Sequence, residues 1–406
     1  MRNFTPEQAG PGGAPVVSAD PFSDEFLADP FPGHAGLREA GPVVWLERYG
    51  VWGMARHAEV QAALRDHETF CSSSGVGLSD FRKEKPWRPP SLLLEADPPE
   101  HSRARRAVAR ALSPGTVRNL RAGFAAEADR LVTELLAGGT VDGVTGIAEE
   151  YPLRVFPPAA GLTGDCREQL LAYGDMAFNA FGPRNHLLAR STARMEGVVP
   201  WIAAHCTRQA LAPGGFGARI YDSADEGSIT EDEAGLLVRS LLTAGVDTTV
   251  VTLGCALDCL ARDPGQWQLL RDDPSLAGAA FEETLRYASP VQTFFRTTTR
   301  PVAAGGITLG AGEKVLLFLA AANRDPRRWE DPDRFDIRRR AVGHVGFGYG
   351  IHACIGAALS RVEGEELLAA LARRVATLAP AGEPVRRLNN TLSGFASLPL
   401  VLTPAR

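Results

Sequence analysis

The sequence predicts a mainly α protein with small β-sheets, and three observations carry that expectation. Helical periodicity runs from Gly115 to Ala210, a capped apolar helix can be drawn from Thr230 to Arg262, and every strand-like segment is short. Of 406 residues, 45% are hydrophobic and 22% charged, ample for a large core and too little charge for a disordered chain. The net charge of −5 is spread over interleaved signs, without the basic stripe that nucleic-acid binders carry.

Taken in order, residues 1–18 are polar and rich in Gly, Pro and Ala, lack the regions of a signal peptide, and predict a flexible tail before a single domain over 19–406. No uninterrupted apolar run approaches the ~20 residues that span a bilayer, so a cytoplasmic protein without a membrane partner is expected. Val43–Leu46 and Val51–Ala55, split around Tyr49-Gly50, predict a hairpin, and His57–Asp66 predicts a helix with Val60, Ala63 and Leu64 on one face. Pro86, Pro89 and Pro90 break a loop bearing Trp87, Arg88 and Ser91. From about Glu100 to Leu112 a basic helix carries His101, Arg103, Arg105, Arg106 and Arg110. Pro157-Pro158 and Gly182-Pro183 are expected to interrupt the helical stretch that follows.

Thr230 with Glu233 is a capping-box signature. The helix it opens should run to Arg262, where Asp263-Pro264 stops it, about 45 Å long. A further helix is expected over Leu276–Ala288, strands over Gly306–Phe318 around Gly310 and Gly312, and a last long helix from near Ile355. The six cysteines (71, 166, 206, 255, 259, 354) form no CxxC pair. Cys255 and Cys259 read as core residues, and reduced thiols fit the expected compartment.

The most informative stretch is Phe347-Gly348-Tyr349-Gly350-Ile351-His352-Ala353-Cys354-Ile355-Gly356. Its glycines allow positive φ and close backbone approach to a flat ligand. Cys354 stands where a helix begins, a position that lowers a thiol's pKa, and a thiolate so placed can ligate iron. Two other readings of the residues stay open. A lone cysteine can be plain core, and Gly348-x-Gly350-x-x-Ala353 satisfies a dinucleotide fingerprint. That fingerprint needs an apolar strand before it, whereas Arg338-Arg339-Arg340 and His344 precede this one.

Phe347-Gly348-x-Gly350-x-His352-x-Cys354-x-Gly356 resembles the haem-binding signature of the cytochrome P450 family at every defining position. Two more signatures follow the family's order. Glu283 and Arg286, at i and i+3, resemble its structural pair, completed by Arg339 or Arg334. Ala244-Gly245-Val246-Asp247-Thr248-Thr249 resembles the groove of its central helix, with Asp247 the acid and Thr248 the alcohol of a proton relay. The resemblance implies the P450 fold, with haem b between the long central helix and the Cys-loop helix, where Ala244, Gly245, Phe347 and Gly356 contact it. It also implies that His101, Arg105, Arg296 and His352 meet the haem propionates. The activity implied is a monooxygenase using O2 and electrons from a separate iron–sulfur ferredoxin with its reductase. The intact acid–alcohol pair disfavours a haem sensor or peroxygenase.

Three stretches resemble a narrower bacterial group that oxidises para-substituted benzoates: Ser79–Ser91, Phe178-Asn179-Ala180-Phe181-Gly182-Pro183 and Pro290–Arg300. On the central helix Ser240, Ala244, Asp247 and Thr248 fall on one stripe, Ser240 lying about 12 Å along the axis from Thr248. A carboxylate held near Ser240 would place a para substituent near the oxygen site, and burying it requires hydrogen bonds and preferably a cation. Ser91, Ser240, Arg88 and Arg239 are the candidates. Phe178, Phe181, Val291, Phe294 and Leu94 would line the aromatic slot, with Phe395 where this group is expected to carry an aliphatic residue. The expectation is O-demethylation of 4-methoxybenzoate, set against a neutral terpenoid-like substrate and, from another class, a dinucleotide-binding protein.

Overall fold

At Thr230 the capping box forms as the sequence predicts. Thr230 Oγ1 accepts from the Glu233 amide at 3.2 Å, and the Glu233 carboxylate accepts from the Thr230 amide at 2.8 Å. The computed structural model describes residues 9–164 and 167–405, so part of the expected tail (1–8) and Cys166 lie outside the described residues. The capped helix is not continuous to Arg262. It runs Glu231–Ala244, breaks at Gly245-Val246 and resumes as Asp247–Arg262. Thr248 Oγ1 donates to the Ala244 carbonyl at 2.8 Å, competing with the backbone at the break. Gly245 lies against Phe156, where a Cβ would come within 2.3 Å of the ring. Close contact has been favoured over helix regularity.

Around these two central halves pack the basic helix (Glu100–Ala111), Arg167–Asn179, Ala277–Tyr287 and the last long helix, Ala357–Arg374, against which Pro114–Leu135 lies in turn. Glu231–Arg262 is long and apolar enough to cross a membrane, but 72% of its most apolar window is buried within the fold. Such a helix is the interior of a globular core. Pro157 and Pro158 do not interrupt their helix; both lie in the last turn of Glu150–Ala160, and their carbonyls accept from Leu162 and Gly161. Burial of Phe156 and Pro157 overrides the local preference there.

The predicted hairpin is Val44–Leu46 with Val51–Met54, inside a six-stranded sheet ordered Val16–Val17, Val44–Leu46, Val51–Met54, Lys314–Phe318, Thr293–Thr298, Phe70–Cys71. The expected tail is therefore shorter than predicted: Val16 and Val17 pair in parallel with Trp45 and Leu46, and Val17 is buried. Two β-branched residues beside an available edge suffice. Late in the chain, Val385–Leu388 and Ser393–Ser397 form a hairpin whose Gly394 packs on Val251 of the central helix. That hairpin was not anticipated, and it delivers a residue to the site.

Candidate active site

The cysteine loop is shaped by two left-handed glycines, Gly348 at φ +71° and Gly350 at φ +70°. A Cβ on Gly350 would meet the Leu64 carbonyl at 2.6 Å, so only glycine lets the loop lie against the helix His57–Arg65. The Cys354 amide donates to the Phe347 carbonyl at 2.7 Å, and the helix starts three residues later at Ala357. No strand precedes the loop; residues 341–349 are turns and irregular backbone, which removes the context a dinucleotide fingerprint needs. The Cys354 side chain is exposed. Its thiol is pushed up, not down as expected. Burial outweighs the Gly356 and Ala357 amides and the Arg105 and Arg361 charges that pull it the other way.

Beneath the loop, Arg286 donates to both Glu283 oxygens at 2.7 and 2.8 Å, and both side chains are fully buried. Arg339 supplies the third member, with Nε 3.2 Å from Glu283 Oε1. Arg334 contributes only its carbonyl, which accepts from Arg286 and Arg339. The Asp336 amide also donates to Glu283, so this cluster closes on itself.

A second cluster does not. The His101 and His352 rings lie 4.4 Å apart. His101 is 1% exposed with neither ring nitrogen hydrogen-bonded, and burial pushes it down to about 4. His352 Nδ1 meets the Leu93 carbonyl at 3.1 Å, while Nε2 has no hydrogen bond and faces Asp97 Oδ1 at 3.7 Å. Arg296 is 3% exposed, donates only to the Phe295 carbonyl among the described residues, and is pushed down to about 10 by burial. Arg105 donates to the Ala353 carbonyl at 2.7 Å. Basic side chains, buried or half-buried and with unmet valences, set against the Cys354 loop, fit the two carboxylates of a haem. Asp97 was not anticipated. Burial opposes its ionisation, yet His352 and the Ser72 and Ser73 amides hold it well below the usual carboxylate range. It also lines a surface cleft of about 600 Å³ with Cys71, Ser73 and Thr298, which lies outside the Cys354 site.

Of the other arginines on the basic helix, Arg103 and Arg110 are tied to Glu233 and Glu226, leaving Arg106 exposed.

Asp247 and Thr248 sit at the restart of the central helix, directly after the break. Asp247 is buried, and burial pushes its carboxyl up against the pull of Arg387. Arg387, from the late hairpin, and Asp175 complete its surroundings. Neither was visible in the sequence.

The substrate candidates separate. Ser91 and Ser240 come together, Oγ to Oγ at 3.0 Å. Ser91 Oγ also accepts from the Leu93 and Leu94 amides, and Ser240 Oγ donates to the Leu236 carbonyl at 3.0 Å. Arg88 is not a free cation. It pairs with Glu95 at 2.8 Å, with side-chain exposures of 11% and 4%, and Glu95 also accepts from the Ser91 amide. A buried guanidinium keeps the nearest carboxylate available to it. Arg239 donates to the Pro89 carbonyl at 2.7 Å and has no carboxylate partner among the described residues. Phe178, Phe181 and Phe294 form an edge-to-face series, with centroids 5.9 and 5.6 Å apart. Val291 bridges to Leu392, and Phe395 is covered by Arg386 at 4.3 Å, apart from the three-ring series.

Comparison with known proteins agrees with this geometry. The family model described as Cytochrome P450 matches residues 266–402. "Cytochrome p450 CYP199A2" of Rhodopseudomonas palustris is 58% identical over 402 residues, covering 99% of this chain and 97% of that protein. "Beta-dihydromenaquinone-9 omega-hydroxylase" of Mycobacterium tuberculosis is 32% identical, covering 96% of this chain and 79% of the relative. Among solved structures, cytochrome P450 CREJ in complex with (4-ethylphenyl) dihydrogen phosphate superposes with a TM-score of 0.84 at 27% identity, over 95% of this chain and 99% of that one.

Proposed function

The chain belongs to the cytochrome P450 family and is a haem b monooxygenase, and from that premise we propose that it oxidises para-substituted benzoates, with O-demethylation of 4-methoxybenzoate as its reaction. Bacterial members of the family use O2 and electrons from a ferredoxin and its reductase. The reaction consumes 4-methoxybenzoate, O2, two electrons and two protons. One oxygen atom enters a methyl C–H bond and the other leaves as water; the hemiacetal then loses its methyl carbon as formaldehyde, giving 4-hydroxybenzoate.

Cys354 would hold the haem, which when bound would supply oxygen activation, helped by thiolate donation. His101, Arg105, Arg296 and His352 would hold its propionates. Asp247 and Thr248 hold and pass protons at the helix break. Phe178, Phe181 and Phe294 flank the substrate ring and restrict it to a flat, narrow shape.

The observation that carries the reading is the pairing of Ser91 and Ser240 at 3.0 Å, on the stripe that leads to Thr248. Two convergent hydroxyls with Arg239 close by form a site for one carboxylate. Because Arg88 is neutralised by Glu95, Arg239 is the cation expected to meet the substrate. The test is a spin-shift titration of the haem-loaded protein. 4-Methoxybenzoate should drive the low-to-high-spin change, and its 3-methoxy isomer and methyl ester should do so weakly. A stronger shift with the ester or with a neutral terpenoid would overturn the carboxylate reading.

A further inference from the structure

Asp247 is held more tightly than a proton-passing acid needs to be. Arg387 Nη1 meets Asp247 Oδ1 at 2.9 Å and Nη2 meets Oδ2 at 3.1 Å, while the same Nη2 reaches Asp175 Oδ1 at 2.9 Å. One guanidinium therefore serves two carboxylates, whose side chains are 0% and 14% exposed. The three residues come from three elements: the central helix, the strand Val385–Leu388 and the helix Arg167–Asn179. Asn389, just past the strand, donates to Asp175 as well, at 3.1 Å to its carboxylate. Gly174 packs so closely on Asp247 that a Cβ there would lie 2.9 Å from the Asp247 Cβ. Asp175 is one turn before Phe178, so the helix that lines the aromatic slot is the one tied to the acid.

We infer that Arg387 is a positioning residue that orients Asp247 and couples it, through Asp175, to the helix lining the substrate slot. This rests on the reading of Asp247 and Thr248 as the proton relay. The geometry has a chemical consequence. The charged and titratable groups facing Asp247 are Arg387 from the hairpin, Asp175 from the slot helix and, further out, Glu149 ahead of the helix Glu150–Ala160. Arg387 is the cation among them. Without it, burial and two neighbouring carboxylates all favour the protonated acid. A movement of the slot helix that draws Asp175 and the guanidinium away would push a proton onto Asp247, so substrate entry and proton supply become linked.

The test uses the haem-loaded protein, a ferredoxin and reductase, and whichever benzoate gives the largest spin shift. Arg387→Met should keep that spin shift, lower turnover about tenfold, as removal of an orienting partner typically does, and move the alkaline limb of turnover to higher pH. Arg387→Lys should restore part of the rate and return the limb. Infrared spectra give a readout independent of turnover: Arg387→Met at neutral pH should show a protonated carboxyl band that disappears in Arg387→Met/Asp247→Asn. Asp175→Asn keeps the Asp247 pair but removes a carboxylate that favours the protonated acid, so it should move the limb to lower pH, opposite to Arg387→Met, while abolishing the slowing of hydrogen exchange at residues 385–390 when benzoate binds. An unmoved limb with no new carboxyl band in Arg387→Met would overturn the inference and leave Arg387 a structural tie. If Asp247→Asn instead turns over like the parent, the relay reading falls, and the carboxyl band still reports on the clamp.

Discussion

Two buried clusters of ionisable side chains in this molecule are built in opposite ways. Around Glu283 the carboxylate oxygens receive Arg286, Arg339 and the Asp336 amide, and Arg286 spends its remaining donors on three backbone carbonyls. Around His101 the ring nitrogens have no partner, and Arg296 has one carbonyl. A closed cluster contributes to folding because breaking it strands a charge. An open one costs stability until a ligand completes it. Satisfied valences therefore distinguish a structural ion network from a binding site more reliably than burial or charge does.

The largest expected effect tests the closed cluster. Glu283→Gln leaves Arg286 and Arg339 uncompensated and should cost about 3–5 kcal/mol, read as a lower melting temperature of the haem-free protein; a cost under about 1 kcal/mol would break the contrast. Arg296→Met should behave oppositely. The haem-free protein should melt no lower than the parent, since an unpaired buried guanidinium has gone. Haem retention should weaken by about 1.5–3 kcal/mol, the worth of a hydrogen bond to a charged group, measured as the rate of haem transfer to an excess of globin lacking haem.

A pH series sharpens the contrast further. Burial first, then neighbouring arginine or histidine charge, holds His34 down to about 3 and His101 down to about 4. A base depressed on folding binds its proton better when unfolded. Stability is thus full above the ordinary value near 6.5 and lost as pH falls toward about 4, by at most about 1.4 kcal/mol per pH unit for each ring. Haem propionates beside His101 should raise its value, so loading should flatten the His101 share and leave that of His34. Denaturant midpoints between pH 7 and pH 4, with His101→Phe and His34→Phe, separate the two. The smallest effect belongs to the substrate side. Ser91→Ala, which removes the hydroxyl whose proton is free to turn toward a carboxylate, should weaken a spin-shifting benzoate by about 1 kcal/mol, roughly fivefold in Kd.

The same contrast governs what could be read from the chain. The Cys354 loop and the Glu283–Arg286 pair are legible because their residues are contiguous or one turn apart. The capping box and the first hairpin are equally local. Arg387 lies 140 residues from Asp247 and 212 from Asp175, with no periodicity linking them. Glu95 is hidden for another reason: it sits seven residues beyond Arg88 in irregular chain, where no periodicity pairs the two. The choice between Arg339 and Arg334 needed backbone geometry. Gly245, Asp247, Thr248 and Thr249 are weak helix formers, but the break depends on Phe156, 89 positions away in sequence, pressing where only glycine fits.

The bond between Ser91 and Ser240 also fixes where two hydroxyl protons point. Ser240 commits its proton to the Leu236 carbonyl, so Ser91 must be the donor in the pair and Ser240 the acceptor. Neither hydroxyl then offers a hydrogen to an incoming carboxylate. For a benzoate bound as proposed, recognition requires one side-chain rotor to turn. An anion exchanges one bond for another, whereas a neutral ester, a poorer acceptor, has little with which to displace the internal bond. On the proposed carboxylate reading, the site would discriminate partly by already being occupied with itself.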